Sequence, residues 1–167
     1  ETVNLLPGKT YVVESSVVFK RPVNIIGGTR DSTKIRFAAG GSYLAAPYRA
    51  GFVFVHSSTS VPGHAGDARR SNLSGFGIEA ESGIASGVMG VLACAPVYGQ
   101  RLRVQGFTSH GLAVVSMNGA ATIGNANGCE FETVELTSNG GNGLYTMGYD
   151  ANACIFKGIR AYYNGGH

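Results

Sequence analysis

The last third of the chain repeats when it is cut and stacked. Asn127, Cys129, Phe131, Val134, Leu136 and Asn139-Gly140-Gly141 recur 25 residues on as Asn152, Cys154, Phe156, Ile159, Ala161 and Asn164-Gly165-Gly166. A shift of 29 residues backwards sets Leu102, Phe107, Thr108-Ser109 and Gly111 in the same columns, with His110 at the turn asparagine. A second shift of 29 adds Leu73 and Ile78. Self-similarity with a period of about 20–50 residues marks solenoids, whose units bury their apolar residues only against neighbouring copies.

Within one unit the apolar residues alternate. Cys129 and Phe131 face one way and Glu130 and Glu132 the other, which is the period of a strand. Val134 and Leu136 restart the alternation after a corner, and a glycine-rich turn over residues 137–143 leads to a third apolar run at 144–147. Three short strands and three turns per unit predict an all-β parallel β-helix, a solenoid of about six or seven coils. No window carries a sustained helical stripe, and 26 glycines in 167 residues would be costly inside helices.

The first 71 residues fit the same plan less regularly. Runs at 3–6, 10–13, 17–19, 23–26, 34–37 and 51–56 read as strands, separated by Pro7-Gly8, Glu14-Ser15, Arg21-Pro22 and Gly27-Gly28. Two insertions, residues 38–50 and 57–71, predict loops on a flank, where solenoids commonly bind. The whole chain, 1–167, thus reads as one domain with irregular coils over 1–71 and regular coils over 72–167. Glu1 opens directly into a strand and His167 falls where the next turn is due, so the chain reads as part of a longer solenoid.

Composition narrows the function. A charged fraction of 14% suits a packed β-solenoid, and a net charge of +3 without an arginine-aromatic run gives no nucleic-acid footprint. No stretch is long and apolar enough for a membrane helix. Three cysteines, Cys94, Cys129 and Cys154, make no disulfide framework, and Cys129 and Cys154 read as stacked buried thiols. No pattern implies a metal or a cofactor.

The 25- and 29-residue shifts place Arg101 beside Glu130, Arg103 beside Glu132, Glu132 beside Lys157 and Glu135 beside Arg160. Opposite charges in one column hold the register of a solvent-facing parallel sheet. The functional alternative is a carboxylate pair, Glu132 with Glu135 or Glu130 with Glu132, for cleaving a glycosidic bond. Flanking cations lower a carboxyl pKa, which argues against a general acid. His110, in an asparagine column, is a candidate acid, base or sugar contact. Arg103, Arg160 and Tyr145 are further candidate contacts, since tyrosine faces pack on sugar rings.

Val3-Asn4-Leu5-Leu6-Pro7-Gly8-Lys9-Thr10-Tyr11, followed by Val23-Asn24-Ile25-Ile26-Gly27, resembles the opening of the pectate-lyase-like superfamily. The resemblance implies a right-handed, single-stranded parallel β-helix. It also implies a role among polysaccharide lyases, glycoside hydrolases, epimerases and trimeric phage tailspikes. No catalytic motif of that superfamily carries over, because the only aspartates are Asp31, Asp67 and Asp150, far apart in sequence. The expectation is a polysaccharide-processing or polysaccharide-binding domain, outside the cell or on a virion surface and possible as a homotrimer. Glu132 and Glu135 are its catalytic candidates; Arg103, His110, Arg160 and Tyr145 are its substrate contacts. The alternative is a structural or adhesive solenoid without catalysis.

Overall fold

The computed structural model describes residues 1–58, 63–118 and 121–166, and in it the chain winds into a parallel β-helix of six coils. The first coil holds β1 (Thr2–Asn4), β2 (Thr10–Ser15) and β3 (Val17–Phe19), and the second β4 (Asn24–Ile26), β5 (Lys34–Ser42) and β6 (Ala50–Phe54). The third holds β7 (Ser71–Ser74), β8 (Gly77–Ala80) and β9 (Met89–Ala93), and the fourth β10 (Val97–Gln100), β11 (Arg103–Gln105) and β12 (Leu112–Val115). A short antiparallel hairpin follows, β13 (Met117–Asn118) with β14 (Ala121–Thr122). The fifth coil holds β15 (Glu130–Glu132), β16 (Glu135–Thr137) and β17 (Leu144–Met147), and the sixth β18 (Ile155–Lys157) and β19 (Arg160–Tyr162). Equivalent strands stack into three parallel sheets. Sheet A is β1-β4-β7-β10-β15-β18, sheet B is β2-β5-β8-β11-β16-β19, and sheet C is β3-β6-β9-β12-β17.

Three corners shape each coil, and at most of them one residue takes a left-handed conformation. Between sheets A and B that residue is Gly75, Arg101, Thr133 or Gly158 in successive coils, with φ of 72°, 52°, 56° and 63°. Between sheets B and C it is Gly106, Ser138 or Tyr163. The corner amides are not left open: Gly75, Arg101 and Thr133 donate to the carbonyls of Gln100, Glu132 and Lys157 in the next coil. Each left-handed residue turns the strand direction and is followed by one inward residue, Phe76, Leu102 or Val134, all buried.

This corner corrects the uniform 29-residue shift. Leu73 does stack in the column of Phe131, but through Gly99, so the period is 26 residues and then 32 before settling at 25. Leu102 belongs to the column of Val134, and Val104 rather than Phe107 lies in register with Leu136. The longer fourth coil comes from an excursion over residues 116–128, which carries the β13–β14 hairpin. Of the two insertions, the first is shorter than expected because β5 continues to Ser42. Part of the second, residues 59–62, and the turn expected at His167 lie outside the described residues.

Aromatic and aliphatic side chains fill the coil interior. Phe37, Phe52, Phe54, Phe76, Phe107 and Phe131 are all fully buried, with Phe37 and Phe52 edge to face at 5.4 Å. Cys94, Cys129 and Cys154 are free thiols, and Cys129 and Cys154 occupy consecutive coils, joined by the bond from the Ile155 amide to the Cys129 carbonyl. The asparagine ladder exists as well: buried Asn139 donates through Nδ2 to Asn164 Oδ1 at 3.0 Å and accepts from the Phe107 amide at 3.2 Å.

A second apolar cluster lies outside the coil. Leu44 and Tyr48 from the first insertion, and Ile123 from the fourth-coil excursion, cover Val53, Leu92, Ala113 and Val115 on the outer face of sheet C. Sheet C is therefore roofed, while sheets A and B keep their outer faces open to side-chain chemistry.

Gly99 shows how tightly the stack is closed. A Cβ there would stand 2.4 Å from Cδ1 of Phe131, whose ring fills the space above it. Gly99→Val is expected to destabilise the protein by about 1–3 kcal/mol through overpacking. Equilibrium urea unfolding checks this, and an unchanged midpoint would show that the coil above yields freely.

Candidate functional site

Sheets A and B treat their polar residues differently, and the difference locates the site. On sheet B the outward columns run Lys34–Gly77–Arg103–Glu135–Arg160 and Arg36–Glu79–Gln105–Thr137–Tyr162. Both carboxylates in them are buried and saturated. Glu79 receives Arg36 Nη2 at 2.6 Å, Lys34 Nζ at 3.1 Å and Gln105 Nε2 at 3.2 Å. Glu135 receives Arg103 Nε at 2.8 Å, Arg30 Nη2 at 3.2 Å and the Tyr162 hydroxyl at 2.5 Å, while Asp31 holds the other side of Arg103 at 2.7 Å.

This network decides what Glu135 can do. Burial pushes its carboxyl pKa up, but hydrogen bonds from Arg103 and Tyr162 and the charges of Arg103 and Arg30 outweigh burial and hold it below its ordinary value. Glu79 is lowered against burial in the same way by Arg36 and Lys34. A carboxylate fixed in its ionised form is unsuited to donating a proton. Glu135 holds register.

The other sequence candidates separate. Glu132 lies on the outer face of sheet A and Glu135 on that of sheet B, with left-handed Thr133 between them, so the two share no face. Arg103 stands beside Glu135, not Glu132, and Tyr98 and Gln100 take the places expected for Arg101 and Arg103. Glu132 with Lys157 is in register as read and ion-paired at 3.2 Å. Arg160 is in register with Glu135, yet its guanidinium makes no ion pair or hydrogen bond among the described residues. His110 and Tyr145 do come together, rings parallel and 4.3 Å apart, but beside sheet C. His110 is in the column of Asn142 rather than Asn139: its Nδ1 accepts from the Asn142 amide at 3.0 Å. Burial lowers its pKa and favours the neutral ring.

Sheet A presents the opposite of sheet B. Its outward columns run Asn24–Asn72–Tyr98–Glu130–Ile155 and Ile26–Ser74–Gln100–Glu132–Lys157. They floor an open trough of about 600 Å³ that also takes in Arg70. A second trough of about 650 Å³ adjoins it, sharing Arg70 and Tyr98 and reaching Asp67, Arg69 and Asn127. Asp67 is occupied by Arg69 through Nε and Nη2 at 2.7–3.0 Å. The side chains of Asn24, Arg70, Asn72, Tyr98, Gln100 and Glu130, by contrast, have no hydrogen-bond or ion-pair partner among the described residues. Arg70 sits at a left-handed corner, φ 67°, with its amide bonded to the Pro96 carbonyl. The result is a row of amide, carboxylate and guanidinium groups around a half-buried tyrosine.

Sequence reading named Glu132 and noted Glu130, but it passed over Tyr98, Asn72, Gln100 and Arg70. The signal was present. With the 26- and 32-residue periods, Asn24, Asn72, Tyr98 and Glu130 fall into one outward column. Among the described residues no cluster of histidine, cysteine and carboxylate side chains is arranged to hold a metal ion.

The sheet B network has an acid signature. A carboxyl whose folded pKa is lowered contributes stability above its unfolded value, near 4.5, and loses it as pH falls through the folded one. Glu135→Gln is expected to cost about 1–3 kcal/mol at neutral pH. That gap should narrow steadily below pH 4.5, as followed by thermal unfolding. A gap unchanged down to acid pH would mean that the ion pairs contribute nothing. Comparison of the chain with protein-family models, with curated proteins and with solved structures returned no match. The parallel β-helix and its two open faces thus stand on the chain's own geometry.

Proposed function

We propose that this β-helix binds a polysaccharide along the outer face of sheet A, in the trough floored by Asn72, Tyr98, Gln100, Glu130 and Glu132. The observation that carries the reading is the row of polar side chains without partners beside the Tyr98 ring. Sugar hydroxyls require donors and acceptors side by side, and amide side chains offer both. A tyrosine face packs against the C–H face of a pyranose ring. The adjoining trough prolongs the groove, as an extended chain ligand needs. The resemblance of the opening strands to the pectate-lyase-like superfamily points the same way, and a location outside the cell or on a virion surface follows from such a ligand.

If the bound glycan is cleaved, Glu130 and Glu132 are the pair to carry it. Two residues apart on one strand face, they stand about 7 Å apart, within the separation that leaves room for a water in inverting glycosidases. The saturated carboxylates of sheet B favour a second reading, a structural or adhesive shaft, also compatible with a homotrimer, in which charge serves register alone.

The test is affinity electrophoresis of the protein through a panel of neutral and acidic polysaccharides, with reducing ends and ultraviolet absorbance of unsaturated products followed in parallel. Retardation by at least one glycan, weakened about tenfold or more by Tyr98→Ala with unchanged circular dichroism, is the expected result. Release of reducing ends that Glu132→Gln abolishes would make the domain an enzyme. Retardation by no glycan would favour the shaft.

A further inference from the structure

The roof over sheet C is not closed. Between the first insertion and the fourth-coil excursion lies a slot of about 200 Å³, against the outer side of the sheet and away from the trough. Leu92, Val115, Ile123 and Met147 line it with apolar surface, and Leu92, Val115 and Ile123 are buried. A cavity of about 150 Å³ with such a lining accommodates one benzene-sized ring. The parallel His110 and Tyr145 rings form one end of the slot and Arg49 stands at another part of its wall.

The polar groups of the slot are all donors. Arg49 gives Nε to the Leu44 carbonyl at 3.3 Å and Nη1 to the Ser86 carbonyl at 2.9 Å, and no carboxylate among the described residues offsets its charge. These two carbonyls fix the guanidinium while leaving Nη2 unengaged. His110 accepts at Nδ1 from the Asn142 amide, so in the neutral ring the proton sits on Nε2, a donor with no acceptor among the described residues. The Tyr145 hydroxyl has only the Met147 sulfur, at 3.0 Å, a weak acceptor. Ligand pockets are typically apolar with a few placed polar groups that set orientation. An apolar slot whose polar groups are a fixed cation and neutral donors is complementary to an anion with a flat apolar body.

We infer that this slot is a binding site for a small organic acid carrying a single apolar ring, its carboxylate on Arg49 and its ring over Leu92 beside the stacked His110 and Tyr145. The assignment is independent of glycan binding on sheet A, since no residue lines both places. Arginine suits it better than lysine, because a planar guanidinium meets a carboxylate with directed hydrogen bonds.

The experiment titrates the protein with benzoate and, separately, with benzyl alcohol, which has the ring without the charge. The side-chain resonances of His110 and Tyr145 are followed by NMR. Saturable shifts of both rings with benzoate, at an affinity about tenfold or more above that for benzyl alcohol, are expected. Arg49→Met should remove that preference and leave benzyl alcohol binding unchanged. Equal affinity of the two probes for the unmodified protein overturns the assignment without relying on any variant. So does the absence of a saturable shift at millimolar benzoate.

Discussion

One residue in the left-handed region, placed at the corner between sheets A and B, governs the rest of the molecule. Glycine meets this requirement at Gly75 and Gly158, but Arg101 and Thr133 meet it with a side chain in place. A β-carbon there costs on the order of 1 kcal/mol. The amide bond each corner makes to the next coil, and the buried residue that follows it, offset the cost. The corner also sets parity. Because it inserts one inward residue between two alternating strands, Glu132 and Glu135, only three positions apart, end on different sheets.

From that partition come three outer faces with three characters. Sheet B carries a charge network in which each buried carboxylate has several partners, so its chemistry is directed inward, to holding the coils. Sheet A carries side chains of similar type with almost no mutual bonding, so theirs is available to something else. Sheet C has given up contact with solvent to a second apolar layer, drawn from two excursions that leave the helix at different coils. The backbone repeat is common to all three, and the distinction rests in which side chains meet.

Much of the fold was legible in the sequence because alternation and asparagine turns are local signals. Phe131 inward between Glu130 and Glu132, the Asn139–Asn164 ladder and the Glu132–Lys157 pair needed only a 25-residue shift, and all are present. The fourth coil was misread for a physical reason. Leu102 and Phe107 are apolar and buried, so they satisfied the wrong columns as well as the right ones. The residue that truly stacks under Phe131 is Gly99, which has no side chain to announce it. Once the period was taken as uniform, Tyr98 and Gln100 dropped out of the outward columns, and the trough became invisible. Arg30 was beyond reach for another reason, since its partner Glu135 lies far along the chain and three coils away.

That last pair changes how the stack is held. In an ordinary solenoid each coil touches only its neighbours, and unravelling can proceed one coil at a time. Here the backbone carbonyl of Arg30, in the second coil, leans over Gly77 of the third, 2.8 Å from where a β-carbon would sit. From there the arginine passes the third and fourth coils and closes on Glu135 in the fifth. The bare position at Gly77 thus lets a strap cross the outside of sheet B. The coils beneath that strap cannot peel away singly, and the middle of a modular array is bound to melt as a block.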